Sequence, residues 1–222
     1  MLKIYKPDTA RQSILQRVPI DDMEVSLDLL NSIKAIFGTP LSPEEAVRLI
    51  LKEIRSDGDK ALRRWSVKLD RLDTDDFRVG KQEIILAKDS IDEEELKALK
   101  VSEERIRQFH VNQPISSWMI QEGDGTLGQL VRPIRRVGIY VPGGTAPLPS
   151  SVLMSVVPAK VAGVKEIVLC VPPDKQTGQV APIILVTAAM LGVEEIYTLG
   201  GAQAIGAMAY GTESIKSVYK IF

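Results

Sequence analysis

Two glycine pairs and their neighbours carry the chemistry that this sequence suggests. Pro142-Gly143-Gly144 follows the apolar run 137–141, and Gly200-Gly201 follows the apolar run 195–199. Glycine reaches positive φ and lets another group come close to the backbone. A helix that starts just past such a turn presents free N–H groups and the positive end of its dipole, which suits phosphate. Tyr140 adds an aromatic face and a hydroxyl at the end of the first run, and Gln203 adds an amide in the first turn of the second helix. Neither turn is the dinucleotide fingerprint G-x-G-x-x-G or a P-loop. Both pairs equally suit tight strand-to-helix turns. Tyr140 and Gln203 tip the reading towards one wall of a nucleotide-type pocket.

Other candidate residues read as structural. A catalytic zinc takes about three protein ligands, mostly His, Cys or carboxylate, and the chain has one histidine and one cysteine. His110 sits in a charged helical stretch beside Phe109. Cys170 sits inside an apolar strand and reads as a small core residue. Glu93, Glu94 and Glu95 read as a solvated first turn facing the helix dipole. Trp65 and Trp118 read as packing residues, and Lys160 as a solvated lysine. No catalytic residue and no metal ligand are expected.

The elements that must position Tyr140 and Gln203 show in the apolar pattern. From 127 onward, strand candidates 137–141, 166–171, 195–199 and 218–222 alternate with helical segments 150–162, 180–191 and 202–210. That alternation predicts βαβ units and a parallel sheet. All carboxyl ends then share one edge, where open α/β sheets bind ligands. A further short strand is expected at 129–131. Upstream the pattern is charged and helical. Ser42, Pro43 and Glu45 predict a capping box and helix start. Segments 59–69 and 92–112 read as helices, the second with Leu96, Leu99, Ile106 and Phe109 inward. The fold class expected is α/β: a Rossmann-like parallel sheet with flanking helices, incomplete, after a mostly helical N-terminal part. The division expected is an arm at 1–25, a helical part at 26–135 and a Rossmann-like domain at 136–222.

Bulk properties narrow the partners. Of 222 residues 45% are apolar, enough for a core, and 28 basic residues against 29 acidic leave a net charge of -1. That balance gives no footing to nucleic acid or an anionic membrane. A single cysteine suits a reducing compartment, and no apolar run approaches the roughly 20 residues of a membrane helix. A cytoplasmic location is expected.

The stretch Arg136-Val137-Gly138-Ile139-Tyr140-Val141-Pro142-Gly143-Gly144-Thr145-Ala146 strongly resembles a signature of histidinol dehydrogenases. Ser150-Ser151-Val152-Leu153-Met154, Gly200-Gly201-Ala202-Gln203-Ala204-Ile205 and Ala209-Tyr210-Gly211-Thr212-Glu213-Ser214 continue the match, as does Gly58-Asp59-Lys60-Ala61-Leu62 upstream. Two departures are Leu69-Asp70, where the family has Phe-Asp, and a loop insertion at 174–179. The resemblance implies NAD-dependent, two-step oxidation of L-histidinol to L-histidine in a homodimer that also uses zinc. It implies that Tyr140 and Gln203 contact NAD, with Pro142, Gly143 and Gly144 shaping the wall beside it. Family chains are substantially longer, and their zinc ligands and catalytic Glu-His pair lie beyond the point matching Phe222. The chain therefore reads as a truncated, NAD-side part of such an enzyme. The alternative is a non-catalytic nucleotide-binding or assembly module, or a split subunit.

Overall fold

The computed structural model describes residues 3–17, 19, 25–114, 116–143 and 146–222. The chain forms two compact units, residues 1–46 and 47–222. The first holds α1 (Pro7–Arg11), α2 (Leu27–Phe37) and the start of α3 (Pro43–Asp57). α1 falls in the segment read as an arm and buries none of its residues. The Ser26 hydroxyl caps α2, and Gly38 ends it in the left-handed conformation. α3 opens with the expected capping box: Glu45 N–H donates to the Ser42 hydroxyl at 3.1 Å, and Ser42 N–H donates to the Glu45 carboxylate at 2.8 Å.

In the second unit α3 is followed by α4 (Asp59–Trp65), which buries Ala61, Leu62 and Trp65. α4 runs into a π turn, Ser66–Asp70, and the chain leaves it through Arg71 at φ 57°. A side chain in that left-handed region costs about 1–2 kcal/mol, so packing must hold Arg71 there. α5 (Lys81–Asp89) and α6 (Glu93–Val111) follow. Asp92 and Glu95 form a reciprocal cap on α6. Along α6, Leu99 is buried, and Leu96 and Ile106 pack on the core. Phe109 does not turn inward. It is 66% exposed and stands edge-on to the His110 ring.

The short strand expected at 129–131 is replaced by a hairpin, β1 (Trp118–Glu122) and β2 (Gly125–Gln129). Glu122 pairs with Gly125 across a two-residue loop, and Gly123 has φ 57°, as tight hairpin turns require. Both strands are exposed along their whole length, so neither carries the alternation that marks a half-buried strand.

From here the expected alternation appears as β3 (Arg136–Tyr140), α7 (Pro149–Val161), β4 (Glu166–Val171), α8 (Pro182–Met190), β5 (Glu195–Thr198), α9 (Gly201–Tyr210) and β6 (Lys220–Ile221). The sheet is parallel, in the order β5-β4-β3-β6. Strand periodicity assigns the two faces. Val137, Ile139, Ile167, Leu169, Val171 and Ile196 join the core formed with α7 and α8, which α5 and α6 cover from outside. The alternate residue Gly138 faces α9. A Cβ there would lie 2.6 Å from Met208 Sδ, so glycine lets the helix seat on the strand. On the far side of α9, Gly206 brings the helix against Leu51 and Ile54 of α3.

The free edge of β5 is covered by the segment 77–79, which the sequence pattern does not reveal. Val79 N–H donates to Ile196 O at 2.9 Å, and Thr198 N–H donates to Phe77 O at 2.8 Å. Covering an edge blocks stray strand pairing. No described helix is long and apolar enough to cross a membrane.

Candidate functional site

The strand order fixes where a ligand can enter. Connections through α7 and α8 step from β3 to β5, and α9 then carries the chain back to β6 on the other side of β3. The order in which strands are added reverses at β3, and open α/β sheets bind ligands beside such a point, at the carboxyl ends of the strands. Tyr140 ends β3 there, with Pro142 and Gly143 exposed just after it. Gly144 lies outside the described residues.

The two turns meet over one residue. A Cβ on Gly143 would lie 2.6 Å from Pro172 Cγ, and a Cβ on Gly200 would lie 2.8 Å from Pro172 Cβ and 2.9 Å from Asp70 Oδ1. At these two positions glycine is demanded by protein packing at the end of β4, whether or not a ligand is near. Gly201 is different: its φ is +55°, a left-handed value, and its surface is open.

Tyr140 ties the turns together. Its hydroxyl accepts from Gly201 N–H at 3.1 Å. Gln203 lies one layer deeper and is fully buried. Its Nε2 donates to Asp70 Oδ2 at 2.8 Å, and Gly200 N–H donates to the same oxygen at 3.3 Å. Gln203 Oε1 has no partner, one of three such buried side-chain atoms among the described residues. Tyr140, Gly143, Gly200, Gly201 and Gln203 thus converge on one edge, with Gln203 beneath the turn. Two of the leading N–H groups of α9, which the sequence offers to phosphate, are engaged: Gly200 by Asp70 and Gly201 by Tyr140.

Asp70 is the residue that sequence reasoning missed. The π turn delivers it from far along the chain to the start of α9. Burial pushes its carboxyl above the usual carboxylate range, against its hydrogen bonds from Gly200 and Gln203 and the field of Lys175. A π turn, a left-handed Arg71 and the unpaired buried hydroxyl of Ser66 lie together just before or after it. Such local irregularities gather at functional sites.

A cleft of about 770 Å³ lies at the opposite end of α9, between the Gly58-Asp59 and Thr212-Glu213-Ser214 segments. Its polar groups are joined to each other: Asp59 N–H donates to Glu213 at 2.8 Å, and the Ser214 hydroxyl donates to Asp59 at 2.9 Å. It is a seam between α4 and the end of α9 whose polar groups satisfy each other, so the glycine edge remains the better candidate.

A zinc centre does not fit these residues. Among the described residues, no three His, Cys, Asp or Glu side chains gather as a metal would need. Burial pushes the Cys170 thiol up to about 12, away from the thiolate a metal requires. His110 Nδ1 is 2.7 Å from the Gln113 side-chain oxygen, on the helix surface.

Comparison with known proteins sets this edge in a family. A family model described as histidinol dehydrogenase matches residues 40–222. Histidinol dehydrogenase of Moorella thermoacetica is 49% identical over 178 residues, covering 79% of this chain and 42% of that protein. That of Bacillus subtilis is 47% identical over 196 residues, covering 88% and 45%. The crystal structure of histidinol dehydrogenase from Elizabethkingia anophelis superposes with a TM-score of 0.76 at 38% identity, covering 87% of this chain and 46% of that one. The chain thus spans less than half the length of each of these relatives. The match takes in both glycine turns, Tyr140, Gln203 and Asp70, and on it the chain belongs to the histidinol dehydrogenase family.

Proposed function

We propose that this chain forms the NAD-side part of a histidinol dehydrogenase, in the oxidation of L-histidinol to L-histidine. Tyr140, Pro142, Gly143, Gly144 and Gln203 wall the cofactor site. When bound, NAD supplies the hydride acceptor. The chain's own part is to hold and orient it: Tyr140 offers a ring face at the crevice, and the exposed Gly201 lets the ligand reach the backbone. The observation that carries this reading is the buried, unpaired Gln203 Oε1 beside the open Gly201 turn. An orphaned buried acceptor costs about 1–3 kcal/mol and calls for a partner.

NAD titration of the purified chain by calorimetry tests the reading. Saturable binding in the millimolar range or tighter, weakened by Gln203→Ala, is expected; no heat at millimolar NAD would remove it. With L-histidinol, NAD and zinc, the chain alone is expected to form no NADH, since its described residues gather no zinc donors. Family relatives supply the longer chain in which that chemistry would be completed.

Assembly as a cytoplasmic homodimer belongs to the same proposal. Its support is the β1–β2 hairpin, which presents Trp118, Met119, Ile120 and Leu127 to solvent. Apolar surface of this kind marks contact sites. Sedimentation that follows a single monomer at all concentrations would remove this part.

A further inference from the structure

We propose that Asp70 is a positioning residue for the cofactor: it orients the Gln203 amide so that an acceptor faces the Gly201 turn, and thereby selects an uncharged hydrogen-bond donor of NAD there instead of a phosphate. The inference rests on the reading of this edge as the NAD site. An ionised carboxylate can only accept, so the Gln203 atom 2.8 Å from Asp70 must be the nitrogen. The oxygen is then forced to the other side. It points at Gly201, where a Cβ would lie 2.8 Å from it, so only the bare glycine backbone stands between this acceptor and the exposed turn.

Helix starts usually hold phosphate through free N–H groups. Here Gly200 N–H is bonded to Asp70 and Gly201 N–H to the Tyr140 hydroxyl. The carboxylate behind the turn also repels an approaching anion. What suits the turn is a neutral donor: a ribose hydroxyl, or the amino or amide N–H of a base. The charged groups around Asp70 are few. Lys175 is the one whose field reaches it, and Gly200 and Gln203 contribute neutral donors.

Calorimetry of the 222-residue chain with NAD, adenosine, nicotinamide riboside and inorganic pyrophosphate tests this. Wild type should bind NAD, and one of the two nucleosides should compete with it, naming the half of NAD that supplies the donor. Asp70→Asn, nearly equal in volume, lets the amide flip and should weaken NAD about tenfold, the worth of one buried hydrogen bond. The double variant Asp70→Asn/Gln203→Glu restores a donor facing an acceptor with an oxygen under Gly201, and should recover most of the loss. A purely structural role would not give that recovery. NAD affinity of the wild type should also fall as pH drops through the raised pKa of Asp70, and that of Asp70→Asn should not.

An Asp70→Asn variant within twofold of wild type overturns the inference and leaves the NAD site standing. Pyrophosphate competing with NAD in the wild type overturns the choice of an uncharged donor. A wild type that binds no NAD ends both readings. Should Asp70→Asn fail to fold, the wild type still decides: its Gln203 side-chain amide resonances must shift on saturation with NAD, and an unmoved signal overturns the proposal.

Discussion

The two ends of the parallel sheet treat their acidic groups in opposite ways, although each leaves one buried atom unpaired, Arg136 Nε at one and Gln203 Oε1 at the other. At the amino end, Arg136, Glu166 and Glu195 are the first residues of β3, β4 and β5. Arg136 reaches Glu166 at 3.1 Å and grips both oxygens of Glu195 at 2.7 and 2.8 Å. The Tyr197 hydroxyl adds to Glu195 and to Ser214 O. At the carboxyl end, Asp70 has only neutral hydrogen-bond partners, and Gln203 Oε1 has none. The pKa directions follow. Arg136 holds the Glu195 carboxyl below the usual range, while burial pushes Asp70 above it. One end joins charges to fix three strands in register. The other keeps a carboxylate bonded to neutral donors only, beside an acceptor without a partner.

Arg136→Met strands Glu195 and Glu166, which keep contact with water at 27% and 40% side-chain exposure, so it should cost about 2–3 kcal/mol, less than loss from a fully buried pair. Urea denaturation reads it, and a loss below about 1 kcal/mol would erase the contrast. A smaller effect is expected at the other end. Gly200→Ala pushes a methyl into Pro172 and Asp70 and should cost about 1–3 kcal/mol by overpacking. NAD affinity should fall with it, because Asp70 must move; unchanged affinity would detach Asp70 from the site.

The smallest effect is a difference in sign on acidification. Glu195 has a lowered folded pKa, so its stabilisation is full above its unfolded value of about 4.3 and is lost as pH falls through the folded value. Asp70 has a raised folded pKa, so the fold takes up its proton first, and stability from this group rises as pH falls through that value. Glu195→Gln should therefore flatten acid destabilisation, and Asp70→Asn should steepen it. Equal slopes in both variants would show the two ends to be alike.

Much of the sheet was legible because its strands are buried on both faces and read as short apolar runs between helices. The Ser42–Glu45 cap was legible because it is local. The hairpin was not, since exposed strands carry no alternation, although the Gly123-Asp124 pair was a turn signal in plain view. Phe109 has helical spacing but no neighbour to cover it. Tyr140 and Gln203 could be singled out from position along a strand and a helix. Their depth could not: Gln203 lies under the turn because Asp70, arriving through a π turn with no sequence marker, draws its amide inward.

The pairing of β6 with β3 also bears on how the molecule comes into being. Val137 and Gly138 wait for Lys220 and Ile221, with two complete strand–helix units and α9 made in between. During synthesis the β3 edge emerges early and stays open until the ribosome reaches residue 221. Non-local closure of this kind slows folding, and an open edge in a nascent chain recruits other strands. β3, an inner strand of this sheet, is thus an open edge while the chain is being made, and chaperone demand should peak in that interval.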